Sequence, residues 1–499
     1  MNYAERIIKG SFWIFTMYFI GGFFSTLLRV YLARNLSVED FGLLYAVLSA
    51  VGFLVVFKDI GFSSAMTRFI AQFRAKNDSE SIKSVIYSVI AMQLFLALIF
   101  SSVFFVLSPY LASAFFKSAK AETIIFPILV SFIFGVFVSL QYVLQGLGKI
   151  ELYSLVEPFR NIITLAFAVV LLPMGLLGVS YSYLFSTIAL TIILFLMILK
   201  SFPFFSVKGH FDRKLTKEIV DFGKPLFFSN IGGVFLGYAD TIMITAFLSV
   251  SDVGLYQVAL PTSQILWVLL GSVSIVILPI VSELWAKGDA ATISRILSLM
   301  LKFSFIVAIP FVITIVAFPE VIITMLFGSK YAGASTALQI LAINSIFYTV
   351  FSVTSISIIG IGKTRENMRI VLTLSAANIL INLLLIPSVG ITGAAVATLV
   401  SYFIGTVLAV SYLKKMSLVD VYAHDIVKAF FCGAAAFAAI TFTKHLVSAD
   451  PWHEAVIALF LGSVVYLASL YLTKTVKKDE LLILKKSGIP VPEFLLKLF

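Results

Sequence analysis

The chain has 499 residues, of which 60% are hydrophobic and 12% charged, against about 25% charged in an ordinary soluble domain. A mean hydropathy of +1.07 excludes one water-facing globule and places the chain in a membrane. The net charge of +11 calls for no nucleic-acid partner, because basic loops facing anionic lipid headgroups account for it.

Apolar runs of about 20 residues, separated by charge, Pro or Gly, mark the spans. In chain order they fall at 10–33, 41–65, 83–108, 122–146, 154–173, 176–199 and 222–249, then at 253–281, 297–318, 334–360, 367–386, 391–413, 427–446 and 454–473. The expectation is an all-α polytopic membrane protein of about 14 transmembrane helices. The first run reads as a retained helix with no cleavage pattern behind it. The single cysteine, Cys432, lies in an apolar run and excludes an intrachain disulfide.

Lys and Arg orient the spans. With a cytoplasmic N-terminus, 29 of the 36 fall on inner segments and six on outer ones, and Lys58 lies inside the second span. An even number of crossings then puts both termini in the cytoplasm of a multi-pass plasma-membrane protein.

The chain also repeats itself. "LSVEDFGLL" at 36–44 and "LSVSDVGLY" at 248–256 share six of nine residues at an offset of 212. "AKND" at 75–78 pairs with "AKGD" at 286–289, "GLGK" at 146–149 with "GIGK" at 360–363, and "LLPMGLLGV" at 171–179 with "LIPSVGITGA" at 385–394. The order is kept and the offsets stay near 212, so two six-helix repeats run parallel in the membrane, an architecture of alternating-access transporters. Asp40 and Asp252 are expected to cap the helix after the first repeated turn. The expected divisions are a six-helix lobe at 1–200, a cytoplasmic linker at 201–221, a second six-helix lobe at 222–413, two additional helices at 414–475 and a basic amphipathic cytoplasmic tail at 476–499.

The paired turns, "YADTIMITAFLS" in the seventh span, "LFGSKYAGA" at 326–334 and the "GIGKT" loop together resemble the polysaccharide-transporter branch of the multidrug/oligosaccharidyl-lipid/polysaccharide exporter superfamily. The resemblance covers about residues 5–415. It implies a V-shaped pair of lobes around a cavity and movement of a polyprenyl-linked oligosaccharide from the inner to the outer leaflet, without ATP hydrolysis.

Ionisable residues inside spans are costly and therefore candidates for function. Arg29 and Asp240 sit at similar depth in repeat-equivalent helices. A guanidinium suits a pyrophosphate or an acidic sugar, and Asp240 suits either an ion pair with Arg29 or coupling to H+ or Na+. Lys58 and Asp59 near the inner end of the second span suit a gate or a phosphate contact. Arg68 and Arg74 continue that helix to a cytoplasmic entrance. Gln141 and Gln145, and Asn378 and Asn382, share helix faces at a spacing of four. With Gln264 and Asn344 they suit either sugar hydroxyls in a wet cavity or bonds between helices. Glu157 and Arg160 are spaced to pair.

No cofactor or catalytic residue is expected. "GIGKT" lacks the first glycine of a phosphate loop, since Ser357 occupies it, and the four His have no metal-site spacing. The expected partners are a lipid-linked glycan, the bilayer, and a glycan polymerase or ligase. Two alternatives stand: a cation-coupled multidrug extruder of the same fold, and a glycan-synthesis enzyme, which the lack of a large hydrophilic loop disfavours.

Overall fold

The computed structural model describes residues 3–420, 423–446 and 451–486, with backbone alone at 3–12, 14, 15, 228, 229, 266, 268–276, 423, 451 and 484–486. The described residues form helices and short connections, without strands. Two compact units divide at Gln257 and Val258.

The first unit begins with α1 (Tyr3–Asn35), α2 (Val38–Phe53), α3 (Val55–Asp59), α4 (Phe62–Ala75) and α5 (Ser79–Val106). It continues through α6 (Ser108–Tyr110), α7 (Lys120–Val138), α8 (Gln141–Gly146), α9 (Ile150–Ser154), α10 (Val156–Leu171), α11 (Gly175–Ser201) and α12 (Arg213–Phe247). α13 (Val250–Ser263) contains the boundary. The second unit holds α14 (Ile265–Ala286), α15 (Ala290–Ala317), α16 (Pro319–Phe327), α17 (Ser335–Gly360), α18 (Thr364–Val389) and α19 (Ile391–Lys415). The chain then forms α20 (Ala423–Leu446), α21 (Pro451–Leu472) and α22 (Lys478–Lys486). The expected tail beyond Lys486, with its Pro490, lies outside the described residues.

Twelve stretches among the described residues are long and apolar enough to span. One of them, Ile150–Ser201, contains two expected spans, realised as α10 and α11 and joined by a short 3-10 turn at Leu172–Met174. The expected eighth span falls on α13 and α14, part of whose side chains lie outside the description.

The repeated motifs turn out to be repeated turn chemistry. Asn77 and Gly288 both take left-handed φ, at 55° and 73°. Asp78 and Asp289 then cap the next helices by accepting from Ser81 N and Thr292 N. Gly148 and Gly362 in the two "GxGK" loops have φ of 71° and 78°, which a glycine adopts without steric cost. In the opening turn the cap is Ser37, which accepts from Asp40 N at 3.0 Å, while the Asp40 carboxylate accepts from Lys120. Asp40 is therefore not the capping residue expected from the sequence. Its counterpart turn is reciprocal: Ser249 Oγ accepts from Asp252 N, and the Asp252 carboxylate accepts from Ser249 N and Oγ.

The second span, expected as one helix over 41–65, is broken. α3 stops at Asp59, Ile60 takes φ 40° and Gly61 takes φ 76° before α4 begins. A β-branched residue at positive φ is strained by about 1–3 kcal/mol. Close packing by α12 fixes the break: a Cβ on Gly61 would lie 2.8 Å from Gly223 O, and one on Gly223 would lie 2.5 Å from Ile60 O.

Candidate functional site

Irregular backbone at membrane depth is tolerated where it is buried in protein or lines a wet cavity. Here it lines one. A cavity of about 330 Å³ in the first unit is walled by Lys58, Asp59 and Ser63 from either side of the break and by Gln93, Ser139 and Arg160 across from it, with Gln141 and Tyr142 from α8.

The break leaves the first amides of α4 without intrahelical partners, and Asp59 serves that of Ser63. Its Oδ1 accepts from Ser63 N at 3.1 Å, from Ser63 Oγ at 2.6 Å and from Gln93 Nε2 at 2.6 Å. Gln93 is 1% exposed and in turn accepts from Ser139 Oγ at 2.8 Å. One carboxylate oxygen thus ties the broken helix to α5 and, through Gln93, to the α7–α8 junction.

Lys58 is different. It is 7% exposed, its Nζ makes one long contact of 3.5 Å to Phe132 O, and it lies 4.6 Å above the Phe132 ring. It forms no ion pair among the described residues. A buried ammonium held by a ring and one carbonyl keeps donors to spare for an anion. Arg160, the second cation on the wall, pairs with Glu157 as expected.

Of the two roles offered for Asp240, the ion pair with Arg29 does not form among the described residues. Arg29 Nη1 donates to Gln257 Oε1 at 3.0 Å and its guanidinium stacks 4.4 Å over Tyr45. Gln257 Nε2 donates to Thr241 Oγ1 at 2.8 Å. Asp240, buried, accepts from Tyr256 Oη at 2.6 Å. Consecutive residues of α13 thus occupy the two charges separately. Arg29 and Thr241, and Tyr45 and Gln257, are repeat equivalents at the offset of 212, so this cluster straddles the internal symmetry.

The other expected residues scatter. Gln141 lines the cavity, whereas Gln145 accepts from Thr67 at 3.0 Å outside the lining. Arg68 stacks 4.3 Å over Phe222, and Arg74 lies against Gly148 of the "GLGK" loop. In the second unit, Asn382 Nδ2 donates to Asn378 Oδ1 at 3.0 Å and Asn378 Nδ2 reaches Thr398 Oγ1 at 3.4 Å, so this pair bonds between helices. Asn344 is wholly buried with neither amide atom bonded among the described residues, and Gln264 stands at the junction of α13 and α14. Gln93, Ser139 and Tyr142 were not singled out from sequence. A lone Gln in the apolar 83–108 run was the available signal.

The charges on this wall belong to the first repeat alone. At the same offset, Lys58 and Asp59 correspond to Leu270 and Gly271, and at 214 Arg160 corresponds to Leu374. The fold therefore does not require these charges.

Residues 7–285 match the family described as "Polysaccharide biosynthesis protein". The chain belongs to that family. Residues 225–384 also match the family described as MatE. An uncharacterized membrane protein of Methanocaldococcus jannaschii, MJ1068, is 30% identical over 492 residues, covering 93% of this chain and 94% of that protein. A protein of Haloferax volcanii named "Probable low-salt glycan biosynthesis flippase Agl15" is 29% identical over about half of each chain, 51% and 54%. Among solved structures, the lipid II flippase MurJ in an inward closed conformation superposes with a TM-score of 0.76 at 18% identity, covering 92% of this chain and 98% of MurJ. An inward-facing multidrug resistance transporter of the MATE family gives 0.60 at 14% identity, covering 81% and 96%. These two likenesses establish the fold, which family membership and the spans make that of a multi-pass membrane protein.

Proposed function

We propose that this chain is a flippase that moves a lipid-linked oligosaccharide from the cytoplasmic to the outer leaflet by alternating access, for the biosynthesis of a cell-surface glycan. Family membership and the flippase named among its relatives support the class. The observation that carries it to this chain is the broken second span: strained backbone at Ile60 opens a polar cavity within an apolar bundle and sets buried Lys58 on its wall. A polar headgroup has hydrogen-bonding partners there that the bilayer core lacks, and the prenyl tail stays in lipid.

Both termini lie in the cytoplasm in this reading, by the distribution of Lys and Arg. Arg29 works as a latch between the repeats and Lys58 as the anion contact. Asp240 is the candidate for H+ or Na+ coupling, and a glycan polymerase or ligase would act on the delivered product.

The test uses the purified chain in liposomes with lipid-pyrophosphate-linked oligosaccharide in one leaflet, read by its accessibility to an impermeant glycosidase. Protein-dependent movement supports the reading. A MATE-type extruder is the second reading, because the MatE match falls on the second repeat. Gradient-driven uptake of cationic drugs without glycolipid movement would favour it.

A further inference from the structure

A second cavity, of about 320 Å³, lies wholly within the second unit, between α15 and the two helices outside the repeat. Its wall runs from Phe303 past Val307 to Phe311 on α15 and from Ser463 to Leu470 on α21. At about 1.5 Å per residue these stretches are about 10–12 Å long, so the space is a groove along the helix axes rather than a rounded pocket. The few polar atoms on the wall are already bonded: Tyr466 Oη donates to Ile306 O at 2.7 Å and Ser463 Oγ to Leu459 O at 2.7 Å. Nothing in the groove asks for a polar ligand.

One end is built differently. Lys302, 1% exposed, donates to Asp425 at 2.7 Å and to Glu480 at 2.8 and 2.9 Å, clamping α20 and α22 onto α15. This clamp sets Val476 and Leu481 across the end of the groove. Beside Val476 stand Lys474, Lys477 and Lys478, all exposed and without ion pairs among the described residues. An apolar slot with three unspent ammonium groups at one end is complementary to an anionic lipid, and basic pockets between transmembrane helices bind such headgroups.

We propose that the groove holds one hydrocarbon chain of an anionic bilayer lipid whose phosphate rests on Lys474, Lys477 and Lys478. That lipid fastens α20–α22 to α15 from the membrane side, as the Lys302 clamp does from within. The proposal is independent of the transported cargo.

The full chain would be reconstituted in equal phosphatidylglycerol and phosphatidylcholine without any polyprenyl lipid, re-extracted in mild detergent, and its retained lipid counted by native mass spectrometry. One retained phosphatidylglycerol per chain is expected. K474Q/K477Q/K478Q, which alters only exposed side chains, should lower retention on the order of a hundredfold at matched lipid, from about a few-fold to tenfold per lysine. Val307→Trp should abolish retention with the lysines intact, and Leu467→Trp serves if that variant is not monodisperse. Equal retention by wild type and the lysine variant would overturn the proposal. So would retention of added polyprenyl phosphate but not of phosphatidylglycerol.

Discussion

Gly42 and Gly254, repeat equivalents 212 residues apart, pack backbone to backbone where α2 meets α13. A Cβ on Gly42 would run into Val250 O and Gly254 N, and one on Gly254 would run into Val38 O. The contact is reciprocal, since Val38 and Val250 are themselves equivalents. The duplicated "LSVEDFGLL" and "LSVSDVGLY" turns thus meet each other. Lys120 holds Asp40 of one turn and Lys117 donates to Leu248 O beside the other.

Two turns closed on one another must part when a transporter opens on that side. Gly42→Ala and Gly254→Ala each remove the same contact, so the double variant should be no worse than either single one. Each is expected to insert normally and to lose at least tenfold in transport. A cysteine pair replacing Val38 and Val250 would report the separation as slower crosslinking. Unchanged crosslinking and transport in both single variants would show that the crossing has no role in the cycle.

Lys58→Met separates stability from function. A buried charge without an ion-pair partner is costly, and an apolar residue of similar length is often neutral or stabilising. The melting temperature should hold or rise while glycolipid movement falls by tenfold or more. A large loss of stability would instead make Lys58 a structural residue.

Gln93→Leu removes the donor to Asp59 and the acceptor for Ser139 together. Leaving buried polar groups short of a partner costs about 1–3 kcal/mol each, so a clear drop in thermal stability is expected. Gln93→Glu places a second carboxylate against Asp59. It should be the less stable variant at neutral pH and recover as the pH falls and the pair binds a proton. Thermal melts of both variants at pH 5 and pH 8 check this.

At the membrane surface, Ser81 holds the Asp78 carboxyl below its ordinary range, through its side-chain hydroxyl first and its backbone amide second. A folded pKa depressed in this way contributes stability above the unfolded value, which is lost as the pH falls through the folded one. Asp78→Asn should keep the cap and remove that acid dependence. Asp78→Ala should cost about 1 kcal/mol at neutral pH.

Much of this was legible in the sequence because lipid makes composition explicit. Long apolar runs and a register of turns 212 residues apart give the spans and the duplication, and the turns proved to be left-handed residues and caps at matching places. Counting along the spans put Arg29 and Asp240 at one level. Depth does not give azimuth, and the partners proved to be Gln257 and Tyr256. The break at Ile60 was hidden because Ile and Gly both sit comfortably in an apolar run. The force that bends the chain there is the close approach of Gly223, a tertiary contact with no local trace. Gln93 escaped for a related reason: one amide in a long apolar helix has no visible partner until the helices are packed.

The central claim is that the broken second span forms the site that passes a glycolipid headgroup. It is tested most directly by the liposome accessibility assay on wild type and Lys58→Gln side by side, with insertion and melting temperature matched. The account predicts movement of the lipid-linked oligosaccharide by wild type and at least a tenfold slower rate in the variant. Equal rates in the two proteins would contradict it.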